Sequence, residues 1–233
     1  MATSRRDATT STILTSGDTA LLVDPAWEPD ELDALAWWLA DRRLTVAAGF
    51  ATHAHHDHLL WHPRFGTPPR YASAATTRRV RERRTMLVAE LGDGWPAVLA
   101  DLVGRVRPAV DSVWPGLEQI EHDAHVPGHT ALWMPGPRVL VAGDMLSDAE
   151  IPLLEDSGYA AYRTGLDVLR PYAAAASLVI PGHGTPGADA ADRWAADDHY
   201  LRELADGGRG DDPRLQNPGM AAAEAANRER IAR

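Results

Sequence analysis

The apolar positions of the chain recur with two different spacings. Short apolar or β-branched runs bounded by Gly, Pro and Asp are typical of strands. Two such runs flank a Gly-Asp turn within residues 11–24 and predict a hairpin. Further strands are predicted at residues 45–51, 117–126, 131–134, 139–144 and 177–180. Spacings of three and four residues predict helices at residues 29–42, 165–172, 189–204 and 220–232.

Two predicted helical segments carry side chains whose exposure the spacing alone does not decide. Trp37 and Trp38 fall within the helix of residues 29–42, and we expect at least one of them to be buried in the core. Residues 74–106 form a long, mostly helical insertion whose second helix runs from about residue 97 to 106. Its basic run at residues 76–84 could roof a site and meet an acidic substrate, but a solvated helix face is the simpler interpretation.

Length and composition favour one domain that spans residues 1–233 and ends in a helical tail at about 213–233. The formal net charge of −10 argues against nucleic acid as a partner. No stretch approaches the roughly 20 apolar residues of a membrane-spanning helix, and the N-terminus lacks the apolar segment of a secretory signal. We therefore expect a cytoplasmic protein that does not bind membranes. The chain has no cysteine, which excludes disulfides and zinc-thiolate sites.

Four of the ten histidines lie in one heptapeptide, residues 52–58, with the sequence THAHHDH. Imidazoles and a carboxylate crowded at a strand end make a poor core and a good ligand set for a borderline divalent cation. Three more candidates follow apolar runs or Pro-Gly turns elsewhere in the chain. The seven candidate ligands are His53, His55, Asp57, His58, His129, Asp144 and His183. Clustering of unrelated surface histidines is the alternative.

The order H-x-H-x-D-H, P-G-H-T, G-D and P-G-H-G resembles that of the metallo-β-lactamase-fold hydrolases over roughly residues 11–205. The resemblance implies two metal ions that share one bridging carboxylate. The first ion would be held by His53, His55 and His129, the second by Asp57, His58 and His183, with Asp144 as the bridge. Asp24, at the end of the predicted hairpin, would orient histidine ligands or serve as a simple turn residue.

The same resemblance implies a fold and a chemistry. The fold is an α/β, αββα sandwich, in which two mixed β-sheets pack face to face with helices on the outside. The cofactors are two divalent ions, zinc first, with manganese or iron as alternatives. Coordination lowers the pKa of bound water from about 15.7 toward about 7, so that a metal-bound hydroxide can cleave an ester-type bond. Asp57 would be catalytic, because it binds metal and hands a proton to the leaving group.

The resemblance implies a hydrolase of the glyoxalase II or lactonase-like branch, acting on a small-molecule lactone, thioester or related ester. The oligomeric state stays open, with a dimer as one option. Lactonases of this fold carry a tyrosine where Ser147 stands, and Tyr159 or Tyr162 could replace it only if the loop folds back. The absence of lysine weakens a glutathione thioester as substrate, and Asp144 argues against antibiotic hydrolysis as the native task.

Residues 59–63, LLWHP, depart from the small residue and glycines that usually follow the histidine motif. Trp61 could wall the substrate pocket with His62 facing it, or the pair could be a hydrophobic brace and an exposed histidine. His56, His122 and His125 lie outside the family's ligand positions, and we expect them to be structural or surface groups.

Two alternatives come from other functional classes. A mononuclear iron oxygenase of the same fold, such as a persulfide dioxygenase, would hold a single iron with His53, His55 and His129 or Asp144. A non-catalytic metal-binding module would have a ligand cage closed to solvent and would turn over no ester, lactone or thioester.

Overall fold

The computed structural model of the protein describes residues 1–208 and 211–232. Residues 209, 210 and 233 lie outside these ranges, and the predicted tail is therefore described as far as residue 232. The chain forms two compact units, Met1–Pro115 and Gly116–Arg233, which we name the N-terminal unit and the C-terminal unit. That the two units make up one domain stays a prediction.

The N-terminal unit contains a six-stranded mixed sheet whose strands follow chain order. The strands are β1 (Ala2–Thr3), β2 (Thr10–Ser16), β3 (Thr19–Val23), β4 (Thr45–Phe50), β5 (Arg70–Ala72) and β6 (Arg107–Pro108). β2 and β3 pair antiparallel, which confirms the predicted hairpin, and β3 to β6 run parallel. The carboxyl ends of β3 and β4 therefore meet at one edge of this sheet.

Three α-helices belong to the N-terminal unit: α1 (Pro29–Asp41), α2 (Ala74–Ala89) and α3 (Ala97–Ala100). α1 begins with a capping box, in which the Glu28 and Glu31 side chains each bind a backbone amide at the helix start. Its apolar stripe packs into one core with residues of β3, α2 and the segment 59–65. This burial fixes the sheet that carries the histidine motif.

Trp37 and Trp38 are exposed by 51% and 38%, so the prediction that at least one of them is buried is wrong. The buried residues of α1 recur at spacings of three and four, and this stripe leaves the tryptophan positions on the opposite side of a helix with a 3.6-residue period. Each indole ring is instead covered by a guanidinium group, from Arg64 at 4.4 Å and from Arg42 at 4.1 Å.

The second helix of the insertion is shorter than predicted, because it ends at Ala100 rather than near residue 106. The Arg84 guanidinium donates to the carbonyl oxygens of residues 100, 101 and 103 at 2.9–3.2 Å. Arg70 donates to the carbonyl oxygen of Leu102 at 2.6 Å. Side chains thus satisfy carbonyl groups that a longer helix would have paired with its own amides.

The C-terminal unit contains a four-stranded mixed sheet in the order β10-β9-β8-β7. Its strands are β7 (Glu118–His122), β8 (His129–Met134), β9 (Val139–Gly143) and β10 (Leu178–Pro181). β7, β8 and β9 pair antiparallel, as predicted for the hairpin of residues 131–144, and β10 runs parallel to β9. One edge of this sheet therefore gathers the start of β8 and the ends of β9 and β10.

The helices of the C-terminal unit are α4 (Tyr159–Ala175), α5 (Ala190–Ala205) and α6 (Met220–Ile231). α4 begins after Gly158, at φ 76°, and is longer than the predicted helix of residues 165–172. The predicted tail helix is docked, since the Asn227 amide donates to the Pro152 carbonyl at 2.7 Å and accepts from the Leu154 amide at 3.1 Å. α4, α5 and α6 share one hydrophobic core with the sheet.

Two mixed sheets, one in each unit, together with helices confirm the predicted α/β class with two mixed sheets. None of the helices within residues 1–208 and 211–232 is both long enough and apolar enough to cross a membrane.

Candidate functional site

The histidine motif of the N-terminal unit lies where two parallel strands end. Asp24 directly follows β3, and its amide donates to the carbonyl oxygen of Phe50, the last residue of β4, at 3.0 Å. The chain then continues from β4 through Thr52 and His53 into a 3-10 helix, His56–His58. Parallel pairing thus places the Asp24 carboxylate beside the motif, where the family resemblance puts an orienting group.

The Asp24 carboxylate, 2% exposed, fixes which nitrogen of two imidazoles carries a proton. It accepts from the Thr52 amide at 2.8 Å, from the Thr52 hydroxyl at 2.6 Å and from His58 Nδ1 at 3.0 Å. The Thr52 hydroxyl has one hydrogen, which it donates to Asp24. It therefore accepts from His53 Nδ1 at 3.0 Å. Both histidines therefore carry hydrogen on Nδ1 and keep the lone pair of Nε2 for a ligand.

Two donor pairs result within the N-terminal unit. His53 Nε2 lies 3.0 Å from His55 Nδ1, and His58 Nε2 lies 3.2 Å from Asp57 Oδ2. Two nitrogens that bind one tetrahedral zinc at about 2.0–2.1 Å stand about 3.3 Å apart, so both pairs have a spacing that fits one shared ion. Imidazole nitrogens with carboxylate oxygens suit zinc, manganese and iron. The residues present therefore fit the implied metals.

His56 is turned toward the insertion. Its Nδ1 lies 3.4 Å from Glu90 Oε2, just after α2, and its ring packs edge-on against Trp27 with 5.1 Å between ring centroids. Burial lowers the pKa of His56, against the opposite effects of Asp57 and Glu90. His56 therefore connects the histidine motif to the end of α2. This position agrees with its exclusion from the ligand set.

Trp61, 3% exposed, is part of the hydrophobic core of the N-terminal unit. Its ring packs on Phe65 at 5.2 Å and under the Arg70 guanidinium at 4.7 Å. A Cβ at Gly49 would stand 2.6 Å from the indole, so the glycine leaves the room that the ring fills. Of the two interpretations of Trp61, the hydrophobic brace agrees with these contacts. His62 lies 3.8 Å from Asp33, and burial lowers its pKa.

The C-terminal unit brings Asp144 and two predicted histidines to one sheet edge. Asp144 follows β9, His183 follows β10, and His129 begins β8. His183 Nε2 lies 3.4 Å from Asp144 Oδ2. His129 meets Asp144 differently, because the Asp144 amide donates to His129 Nε2 at 3.1 Å. The Glu150 carboxylate joins Asp144 and His183 in a group whose ligand atoms all lie within 4.8 Å.

His125 is a neighbour of Asp144 that the sequence interpretation left outside the ligand set. Its Nε2 lies 3.2 Å from Asp144 Oδ2, and both side chains are 4% exposed. The spacing H-x-x-x-H of residues 125–129 was a usable signal, because both histidines flank the same Pro-Gly turn. His122 stacks on His129, with 4.7 Å between ring centroids and 23° between planes. Burial lowers the pKa of His122 to about 4.

The absence of a side chain at Gly182 leaves the space that the Asp144 carboxylate occupies. A Cβ at Gly182 would overlap Asp144 Oδ1 and stand 3.0 Å from the Gly143 carbonyl carbon. The Gly182 amide also donates to the Gly143 carbonyl oxygen at 2.6 Å. The glycine of the PGHG motif is therefore required by close approach to a carboxylate.

The loop of residues 146–155, between Asp144 and α4, is held by a buried arginine. Arg214 donates to the carbonyl oxygens of Ser147 at 3.0 Å and Glu150 at 2.9 Å, and it pairs with Asp197 at 2.6 Å. The Ser147 hydroxyl donates to the His183 carbonyl at 2.7 Å. Tyr162 is 2% exposed in the core, and burial raises its pKa. A buried tyrosine of this kind does not fit the substrate-facing role considered for Tyr162.

Comparison with known proteins adds a family to these geometric observations. The family model described as metallo-beta-lactamase superfamily matches residues 4–194. No curated protein matches the chain.

Three solved structures illustrate the likeness in fold. A metallo-beta-lactamase from Pontibacter korlensis is 18% identical, covering 83% of this chain and 87% of its own, with a TM-score of 0.64. The mono-zinc form of the metallo-beta-lactamase FIM-1 from Pseudomonas aeruginosa is 19% identical, with coverage of 82% and 84% and a TM-score of 0.64. TTHA1623, in a di-iron-bound form, is 21% identical, with coverage of 82% and 95% and a TM-score of 0.62.

Proposed function

Because the chain belongs to the metallo-β-lactamase superfamily, we propose that it is a metal-dependent hydrolase that cleaves an ester-type bond in a small molecule. A lactone or a thioester is the substrate class that we favour, as in the glyoxalase II or lactonase-like branch. The hydrogen-bond chain from Asp24 to His53 and His58 carries the proposal, since it engages Nδ1 of both imidazoles and leaves the lone pair of each Nε2 available to a metal.

We assign the ligands to two ions that share Asp144. His53, His55 and His129 would hold the first ion, as the family motif implies. Asp57, His58 and His183 would hold the second. The spacings of 3.0 Å and 3.2 Å within the two N-terminal donor pairs support this division. Zinc is our first choice, and iron is the main alternative, since TTHA1623 was solved with two irons.

Bound divalent ions would supply hydroxide near neutral pH and polarise the scissile carbonyl group. The chain's own residues would then orient ligands and handle one proton. Asp24 and Thr52 keep the imidazoles in the tautomer described above. Asp57 is 6% exposed, and its Oδ2 accepts from the Thr9 hydroxyl at 3.4 Å. We propose that the Asp57 carboxylate passes a proton to the departing oxygen or sulfur.

The test is the metal content of the purified protein together with its activity on a panel of lactones, thioesters and phosphodiesters. Asp57→Asn should lower kcat on the accepted ester by about 10²–10⁴-fold, whereas Asp18→Asn, at an exposed turn, should not. One iron per chain with oxygen uptake in the presence of a persulfide would support the oxygenase alternative. A fully metal-loaded protein that turns over no substrate of the panel would favour the non-catalytic module.

A further inference from the structure

We propose that residues 212–231, which we name the C-terminal tail, are a clamp that fixes the loop of residues 147–154, with Asn227 as its central positioning residue. The tail and the loop both belong to the C-terminal unit. The tail lies beyond residues 4–194, which the family model matches, so the family pattern gives it no role. The effect of the clamp on a reaction rests on the proposed function, whereas the clamp itself does not.

The loop has no regular structure of its own, because residues 147–154, all within the described part of the chain, belong to no helix or strand. Buried amide and carbonyl groups of such a segment still need hydrogen-bond partners. Side chains of the C-terminal tail supply these partners for five backbone groups of the loop. They are the carbonyl oxygens of Ser147, Ala149, Glu150 and Pro152 and the amide of Leu154.

The first half of the loop is held by the start of the tail. The Arg214 guanidinium donates to the carbonyl oxygens of Ser147 and Glu150. The Asn217 amide donates to the carbonyl oxygen of Ala149, which lies between them, at 2.8 Å. Two side chains from one short segment therefore fix three carbonyl groups within four residues of the loop.

Asn227, which is 2% exposed, holds the second half of the loop. Its side-chain oxygen accepts from the Leu154 amide at 3.1 Å, and its NH₂ group donates to the Pro152 carbonyl oxygen at 2.7 Å. The same NH₂ group donates to the Tyr200 hydroxyl at 2.8 Å. That hydroxyl donates in turn to the Glu224 carboxylate at 2.5 Å. Asn227 thus connects the loop with α5 and α6 through one buried network.

The loop also borders the sheet edge at which Asp144 and His183 lie. The Ser147 hydroxyl donates to the His183 carbonyl oxygen at 2.7 Å. A substrate that binds at this edge, as the proposed function requires, would therefore meet the loop. Within the described part of the chain the Asn227 side chain bonds to neither Asp144 nor His183. It acts on this edge only through the loop.

The test compares full-length wild-type protein with Asn227→Leu, Asn217→Ala and Glu229→Ala. Leucine at position 227 keeps a side chain of similar length but neither donates nor accepts a hydrogen bond. Glu229 is exposed on the same helix and provides the matched control. Amide hydrogen exchange, read by mass spectrometry, is followed in peptides from the loop and, as a reference, from β8. Metal content, circular dichroism and steady-state kinetics on the accepted ester are measured on the same proteins.

We expect Asn227→Leu to speed amide exchange in the loop about 10–100-fold, because lost buried hydrogen bonds make local opening easier. Exchange in β8, and every rate in Glu229→Ala, should stay at the wild-type value. KM should rise about 3–10-fold with unchanged kcat and metal content, since only a fraction of the molecules then hold the loop in place.

A folded Asn227→Leu protein whose loop exchanges like that of the wild type would overturn the clamp. If Asn227→Leu does not fold, Asn217→Ala decides, since its side chain is exposed and wild-type exchange in its loop would have the same meaning. Faster exchange with an unchanged KM, or with loss of a metal equivalent, would overturn the positioning role of Asn227. A wild-type protein that cleaves no ester would refute the proposed function alone, because the exchange comparison still tests the clamp.

Discussion

The Asp24→Asn substitution tests the tautomer mechanism most directly. The carboxylate is 2% exposed and accepts three hydrogen bonds, two from Thr52 and one from His58 Nδ1. Asparagine keeps the shape of the side chain and one acceptor oxygen. Its NH₂ group can take the place of Oδ1 or of Oδ2. Replacement of Oδ2 is the larger perturbation, because that oxygen accepts from two donors. An NH₂ group there would face a hydroxyl and an imidazole that both donate in the wild-type protein.

The expected response is a proton shift on the imidazole. His58 can pair with the NH₂ group only if Nδ1 becomes an acceptor, and Nε2 then carries the hydrogen. A second change follows at His53, whose Nδ1 proton is matched to the orientation of the Thr52 hydroxyl. Loss of such an outer partner typically weakens metal affinity 10–100-fold, which equals about 1.4–2.8 kcal/mol per ion. The metal-free protein should lose about 1–3 kcal/mol of unfolding free energy, because a buried donor is left unsatisfied.

Competition with a chromophoric chelator measures the two metal affinities, and denaturant unfolding of the stripped protein measures stability. Asp18→Asn removes the same charge at an exposed turn and should leave both affinities unchanged. Thr52→Val removes only the hydroxyl, so the weakening should be confined to the ion that His53 binds. If Asp24→Asn folds and binds both ions with wild-type affinity, the carboxylate does not control the tautomers and the mechanism is refuted.

Three further predictions concern close packing, buried charge and surface aromatic residues. Gly182→Ala should displace the Asp144 carboxylate and reduce metal content by at least one equivalent, as measured by elemental analysis of protein that still folds. Arg214→Ala should lower the unfolding free energy by about 3–5 kcal/mol, because it leaves the fully buried Asp197 without its cation. Trp37→Gln should cost no more than about 1 kcal/mol in denaturant unfolding, since it loses only a surface stack on a guanidinium.

Each of these three predictions has a matched control variant and a result that would contradict it. Gly136→Ala meets no neighbouring atom within 4 Å and should keep full metal content. Arg202→Ala removes a guanidinium that is 67% exposed and leaves Asp198 its ion pair with Arg163, so it should cost about 1 kcal/mol or less. Trp27→Ala, at 1% exposure, should cost about 3–5 kcal/mol. A Gly182→Ala protein with full metal, an Arg214→Ala protein as stable as wild type, or equal losses at Trp37 and Trp27 would each contradict the packing described above.

The stability of the Arg214→Ala variant should also depend on pH, and the direction of this dependence follows from Asp197. Burial is the largest influence on Asp197 and raises its pKa, although Arg214 opposes it. Without Arg214 the folded protein should take up a proton at Asp197 at a pH where the unfolded chain does not. A raised carboxyl pKa in the folded state means that stability rises as pH falls. The stability deficit of Arg214→Ala should therefore shrink as the pH is lowered from neutral, measured against the wild-type protein in the same buffers.

The strands and the motif positions were accessible from the sequence because local patterns determine them. Apolar runs that end in Asp or Pro-Gly predicted β3, β4, β9 and β10, together with the loops that follow them. The two-residue strands β1 and β6 carry no such pattern, since they form only by pairing with a neighbouring strand. The prediction of a buried tryptophan in α1 was wrong because the position of a residue in the helical period, rather than its hydrophobicity, decides which face of the helix it occupies.

The approach of His125 to Asp144 lay beyond local pattern for a different reason. His125 and His129 flank one Pro-Gly turn, and nothing in their spacing shows which nitrogen meets the carboxylate. Which nitrogen meets Asp144 depends on a positive φ at residue 125 and on the glycine in α4 that admits the turn. The helix end at Ala100 is similar, because it depends on arginines that are distant in sequence. Such features come from contacts across the fold rather than from residue spacing.

The two aspartates that follow parallel strands differ in the imidazole nitrogen that they meet, and this difference separates their roles. Asp24 faces Nδ1 of His58, so it can set the tautomer and increase the basicity of Nε2 without binding an ion itself. Asp144 Oδ2 faces Nε2 of His183, so its oxygen stands beside an atom that would bind an ion under the proposed function. Removal of the first carboxylate should therefore weaken both metal sites and leave every ligand in place, whereas removal of the second should eliminate a ligand. A comparison of Asp24→Asn with Asp144→Asn by metal stoichiometry at saturating zinc, where weakened sites still fill and lost sites do not, separates the two roles.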